Sequence, residues 1–235
     1  MPAASLLDVF AWGPDGWSQP LLKGLAVSVC CAALGYALGI VLGFPMAIAK
    51  VGFNRMLAAG VVLFTTLLRG VPALLILYLL FFGTNGALMW IARGFGYTGY
   101  IEVDAFAVGV LAVTLLTAAY GSEILRAAYQ AVPQGQFEAY TALGIRPLAG
   151  HLKIILPQML RLALPGLGNL WIMAVKETTL LSVISLAELM RVTTVAGRTT
   201  GQPFVFYGAA ALLYFLLVVI SSWLFGRLEL RARYA

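Results

Sequence analysis

Charge is scarce in this chain: Asp, Glu, Lys and Arg together make up 10% of its 235 residues, against about 25% in a soluble domain. So few charges cannot cover a water-facing surface. Histidine is scarcer still. His151 stands alone, which removes the commonest nitrogen ligand from any multi-residue metal cluster, so no metal site is expected. The two cysteines, Cys30 and Cys31, are neighbours in an apolar stretch; adjacent residues cannot bridge without distortion, and both read as packing residues. No G-x-x-x-x-G-K-[ST] run occurs, so the chain should not bind ATP through a phosphate loop of that kind. Internal repeats and low-complexity tracts are missing as well. The first residues lack a basic stretch and the first apolar run is too long for a leader, so no cleavable signal peptide is expected.

Apolar residues are abundant. They form 62% of the chain, and the mean hydropathy is +0.95. A bilayer crossing needs about 20 apolar residues, which predicts an all-α integral membrane protein of four to six spans. Five are legible: Leu22 to Ala49, Met56 to Phe82, Ala105 to Ala128, Leu162 to Leu189, and Phe204 to Phe225. In the first, Gly35, Gly39 and Gly43 recur every four residues on one face, which predicts a close helix approach. The fourth is interrupted at Lys176-Glu177-Thr178-Thr179, predicting a helix, a break and a second short helix. Residues 83–104, with Asn85, Gly86, Arg93, Gly94, Gly96, Gly99, Glu102 and Asp104, read as a glycine-rich loop, and 190–203 as a polar loop. Residues 1–20, with Trp12 and Trp17, read as an interfacial segment, 21–230 as the transmembrane domain and 231–235 as a tail.

The net charge of +6 is read as loop orientation and not as nucleic-acid affinity, because the basic residues gather at span ends. Lys50 with Arg55, the group Arg126, Arg146, Lys153 and Arg161, and Arg227, Arg231 and Arg233 share one side by span parity. The positive side is cytoplasmic, which predicts a periplasmic N-terminus and a cytoplasmic C-terminus.

The stretch Glu138 to Pro157, EAYTALGIRPLAGHLKIILP, holds several basic groups between membrane-length segments. Ala139, Ala142 and Leu143 fall at helical spacing and predict one apolar face. Gly144 suits a left-handed helix stop, and Pro147 the first turn of a second short helix. Two short helices joined by a tight turn make a knob suited to docking. His151 on that knob has no second ligand or base nearby in sequence and reads as a surface residue.

Glu138-Ala139, then Gly144, Ile154 and Leu156-Pro157 resemble the cytoplasmic EAA signature of type I ABC importer permeases, with Tyr140 in place of its second alanine. The run Arg69-Gly70-Val71-Pro72 is similar to an RGTP-like element in the second span of polar amino-acid permeases. The pattern of Tyr120, Glu123 and Arg126 leading into Glu138-Ala139 resembles the same family, and VAGRTTGQPF near residue 200 is similar to its histidine/lysine/arginine/ornithine and opine branch. The resemblance implies the type I permease fold in a bacterial inner membrane. It implies import of polar, and by branch basic, amino acids or opines, with a pore formed with a second copy or a similar permease and a periplasmic substrate-binding protein delivering substrate. It further implies an ATP-binding subunit that carries ATP and magnesium, contacted here through Glu138, Ala139, Gly144, Ile154, Leu156 and Pro157. No catalytic residue or cofactor is expected in this chain.

Five positions bear on substrate directly: Arg69, Glu123, Glu177, Thr178 and Ser182. A charge at mid-span is costly and functional by default, so Arg69 reads either as a carboxylate clamp or gate, or as an ion-pair partner of Glu123 or Glu177. Glu123 shares a helical face with Tyr120 and Arg126. It reads as an intrahelical pair with Arg126 or as a contact to substrate or partner. Glu177 precedes Thr178, Ser182 and Ser185, which share a face at α-helical spacing; this stripe reads as part of a substrate path or as a solvated break. A gradient-driven transporter or channel, and a membrane-embedded enzyme, are the readings from other classes. The spaced EAA pattern weighs against the first, and the missing nucleophile, base and metal arrangement against the second.

Overall fold

The computed structural model describes residues 9–13, 16–52, 54–99 and 103–234. Glu102 and the side chain of Arg233, both used in the sequence reading, lie outside them, as does most of the first part of the 1–20 segment. The described elements are helical: α1 Ser18–Val51, α2 Arg55–Gly70, α3 Ala73–Gly94, α4 Ala105–Gln130, α5 Gln134–Ala142, α6 Pro147–Gly150, a π turn His151–Ile155, α7 Leu156–Glu177, a 3-10 turn Thr178–Ile184, α8 Leu189–Thr200 and α9 Pro203–Tyr234. Five helical stretches are long and apolar enough to cross a bilayer: Ser18–Val51, Ala73–Gly94, Ala105–Gln130, Pro147–Ile184 and Pro203–Ala232.

The count of five holds, but the second span is redrawn. Pro72 has no N–H to give and Val71 is extended, so the helix begun at Arg55 stops at Gly70 and a new one starts at Ala73. That second helix runs on to Gly94, turning the first half of the expected glycine-rich loop into helix. Arg69 therefore sits in the last turn of α2, beside the break, and not in mid-span.

Two other segments differ from expectation. The second helix of the knob is not short: α6, the π turn and α7 run on as one span. The π turn follows from Pro157, which offers no donor to the ladder, so the Leu156 N–H reaches back five residues to the His151 carbonyl. Residues 190–203 are mostly helix, not loop. Thr and Gly suggested a loop, yet Leu189, Thr193, Ala196 and Gly197 make one buried face of α8.

The chain divides into two compact units, Met1–Gly35 with Pro72–Val113 and Ala174–Val218, and Tyr36–Val71 with Thr114–Met173 and Val219–Ala235. The first unit holds two apolar clusters. Phe206 is fully buried in one, with the rings of Phe10 and Trp17 at 5.4 and 6.0 Å. The other gathers Cys31, Leu77, Val108, Ala112, Leu181 and Ile184. In the second unit, Leu125, Ile155, Ala163 and Leu167 form the centre of a core that reaches Tyr140. Each unit uses the α1 glycines to bring that helix against α4. A Cβ on Gly35 would lie 2.6 Å from Val113 Cβ in the first unit; one on Gly39 would lie 2.5 Å from Thr117 Cβ in the second. Neither distance is sterically possible, so the backbones approach because these residues have no side chain.

Candidate functional site

The knob is built around an aromatic core. Pro133 precedes α5, Gly144 ends it at φ +67°, and Pro147 opens the next helix as expected. The apolar face is reversed: Ala139, Ala142 and Leu143 are exposed, Leu143 at 75%, while Tyr140 is buried against Gly150. A Cβ on Gly150 would stand 2.6 Å from the Tyr140 ring, so the large residue and the small one fit as a pair. His151 is not a free surface residue. Its Nδ1 lies 2.8 Å from the Pro147 carbonyl, which can only accept, so Nδ1 carries the proton and Nε2 accepts from the Tyr129 hydroxyl at 3.1 Å. The rings of Phe137 and Tyr140 lie 6.0 and 5.7 Å from the imidazole. With its core filled from inside, the knob leaves Glu138, Ala139, Gly144 and Pro157 exposed, and Ile154 and Leu156 half-buried.

Glu123 is the centre of an ion cluster in the same unit. It accepts from Lys50 Nζ at 2.9 Å, from Arg69 at 3.2 Å and from Arg126 at 2.8 Å. Both pairings read from the sequence, with Arg126 and with Arg69, are present. Lys50 was read as one of the charges at a span end, yet its side chain is 0% exposed and also donates to Ser122 at 2.7 Å. Spacing along one helix could reveal Arg126; nothing in the sequence points to Lys50, 73 positions from its partner.

In the other unit, Glu177 ends α7. It is half-buried and makes no hydrogen bond or ion pair within the described residues. The hydroxyl stripe after it is rearranged, because 3-10 geometry repeats every three residues and aligns Thr179, Ser182 and Ser185. Thr178 instead turns fully inward, donating to the Val175 carbonyl at 2.7 Å, and Ser182 donates to Thr179 at 2.8 Å. Ser185 closes the turn with φ +66°, a left-handed conformation that a serine rarely takes.

Sequence reasoning missed Glu188. It is fully buried and caps α8, accepting from the amides of Met190 and Arg191 at 2.8 Å each, and from Ser28 and Tyr214 at 3.2 Å each. Burial pushes its carboxyl above the ordinary carboxylate range, against the pull of those donors. Glutamate is not a usual capping residue, and the surrounding Thr and Gly hid the helix it starts.

The sequence profile described as "Binding-protein-dependent transport system inner membrane component" matches residues 39–234. The nopaline transport system permease protein NocQ of Agrobacterium fabrum is 43% identical over 218 residues, covering 92% of each chain. The arginine ABC transporter permease protein ArtQ of Haemophilus influenzae is 38% identical over 211 residues, 89% of this chain and 90% of that one. A crystal structure of an amino acid ABC transporter with histidines superposes with a TM-score of 0.79 at 29% identity, over 92% of this chain and 95% of the other. The MetNI methionine ABC transporter, in an inward facing conformation, shares the fold with a TM-score of 0.75 at 16% identity, over 91% and 96%. With five helices long and apolar enough to cross a membrane and a family match over most of its length, the chain belongs to the binding-protein-dependent transport system inner membrane component family.

Proposed function

We propose that this permease subunit carries basic amino acids or opines inward, with Glu177 meeting the cationic side chain of the substrate. The observation that carries this reading is the half-buried Glu177 carboxylate. It makes no hydrogen bond or ion pair within the described residues, and it ends a membrane-length helix where the chain turns into the 3-10 segment Thr178–Ile184. A carboxylate left open at a helix break is where a transporter places a ligand group. Thr178 and Ser182 shape the same turn, and Arg69 with Glu123 stands along the path as a paired gate. Relatives named for nopaline and arginine transport fit a cationic cargo.

ATP and magnesium act in a separate ATP-binding subunit that docks on the exposed knob through Glu138, Ala139, Gly144, Ile154, Leu156 and Pro157. A second permease completes the pore, and a periplasmic binding protein delivers substrate to it. The basic span ends face the cytoplasm, with the N-terminus outside. Nucleotide can bias the pore only if its two conformations hold the knob differently.

The test is uptake of labelled arginine by the complete transporter in proteoliposomes. Glu177→Gln should raise the half-saturating arginine concentration about tenfold, one charge-assisted contact, while the ATPase still co-purifies. Unchanged uptake in Glu177→Gln would remove Glu177 from the path. In the same preparation Gly144→Val forces a β-branched residue into a left-handed backbone and should release the ATPase; full ATPase recovery would show that the turn does not carry docking.

A further inference from the structure

An apolar cleft of about 360 Å³ lies in the second unit, between the ends of α1 and α4 and the Leu148–Leu156 side of the knob, with Leu156 of the docking set in its lining. Its floor is buried Ala47, Leu125, Ile155 and Met159, and its rim includes Ile48, Leu148 and Leu152, of which Leu148 is 73% exposed. Arg126 is the one charged side chain in its lining. The three walls come from the last turns of α1, the last turns of α4 and the opening turns of the Pro147–Ile184 span. Three apolar helical stretches therefore meet at their ends around this cleft.

The charged residue of the lining, Arg126, belongs to a cluster with surplus positive charge. Lys50, Arg69 and Arg126 surround the single carboxylate of Glu123, three cations to one anion. A guanidinium has five N–H donors. Arg126 directs Nε and one N–H of Nη2 at Glu123 and one N–H of Nη1 at Gln130, leaving two unused. Nearby in sequence, Arg55, Arg146 and Lys153 add positive charge. An occupant must therefore be anionic at one end and aliphatic at the other.

We infer that the cleft binds an anionic phospholipid, one acyl chain lying against Ile48, Leu152 and Met159 and the phosphate reaching the free N–H groups of Arg126. A polar amino acid does not fit, because the lining beyond Arg126 and the engaged His151 offers aliphatic and aromatic carbon. Juxtamembrane cations attract anionic lipids generally; here a built acyl slot adjoins the cation.

The test is native mass spectrometry of the complete transporter, delipidated in mild detergent and titrated with phosphatidylglycerol, phosphatidylcholine or inorganic phosphate. Phosphatidylglycerol should bind at one per permease, about tenfold more tightly than phosphatidylcholine, the worth of one charge-assisted contact. Arg126→Gln should erase that preference. Because Arg126 also holds Glu123, a second variant is needed: Ile48→Trp fills the slot from an exposed position and should remove the adduct while leaving assembly intact. Phosphatidylglycerol binding that is unchanged in Ile48→Trp would overturn the inference. So would displacement by inorganic phosphate, which would assign binding to the charge cluster alone. A Leu152→Cys crosslink to the second permease in the assembled transporter would also overturn it, because the cleft would then be covered by protein.

Discussion

The two units solve the same problem, a carboxylate far from bulk water, by opposite means. In the first, Glu188 is 0% exposed and receives only neutral donors: two helix amides, a serine and a tyrosine. In the second, Glu123 keeps 20% exposure and is held by three cations. The surrounding charge follows the same division. By sequence the second unit holds ten basic and three acidic residues, a net of ten minus three, or +7; the first holds five and six, a net of −1, and together they give the chain's +6. A fully enclosed anion is cheapest to hold with dipoles already present, since an ion pair there must desolvate two charges. A half-exposed anion can recruit cations, because water still screens what the pairs leave over.

Deleting the centre of each cluster separates the two designs most sharply. Glu123→Ala leaves enclosed Lys50 beside Arg69 and Arg126, three cations with no anion among them. It should cost about 3–5 kcal/mol, measured by denaturant unfolding of the purified permease. Lys50→Met should cost far less, since Arg69 and Arg126 still satisfy Glu123. Equal losses in the two variants would mean the cluster is not centred on the carboxylate.

Glu188→Ala should cost about 1–3 kcal/mol, from a lost cap and the lost bonds from Ser28 and Tyr214. Its pH dependence is a finer probe. Because burial raises the folded-state pKa above the unfolded one, the folded state binds the proton more readily. The Glu188 contribution therefore favours the fold most at low pH, and stability falls as pH rises from the ordinary carboxylate range through the raised value, then levels. Melting temperatures of wild type minus Glu188→Gln, from about pH 4 to about pH 8, should decline in that window. A rising difference would show that the four donors outweigh burial.

The smallest effect tests what the units share. Gly35→Ala in the first and Gly39→Ala in the second each push a methyl into α4, and each should cost about 1–3 kcal/mol. Gly60→Ala on α2 meets nothing within 4 Å and should be neutral or stabilising by up to about 1 kcal/mol. A large loss at Gly60 would point to a neighbour contributed by another chain.

Much of this arrangement is legible along the chain because it depends on local chemistry. The left-handed turn at Gly144, the glycine face of α1 and the Glu123–Arg126 pair all arise from neighbours within one or two helical turns. The misread segments have causes beyond that range. The 83–94 stretch is glycine-rich yet helical, and α8 is polar yet packed, because tertiary burial outweighs weak local preference. Tyr140 looked like a departure from a surface pattern, yet it fills the knob's interior opposite Gly150.

Composition alone determined that this is a membrane protein of four to six spans, since so few charges and so much apolar surface have no other stable solvent, and the spacing of the apolar runs narrowed the count to five. Spacing alone determined where the knob turns. Only the tertiary structure decided which charges are spent on one another. Lys50 reaches Glu123 across 73 residues, Glu188 meets Ser28 across 160, and Glu177 is left with no partner among the described residues. Such pairings depend on which helix faces meet, and helix faces meet through packing shape, which no local stretch of sequence encodes.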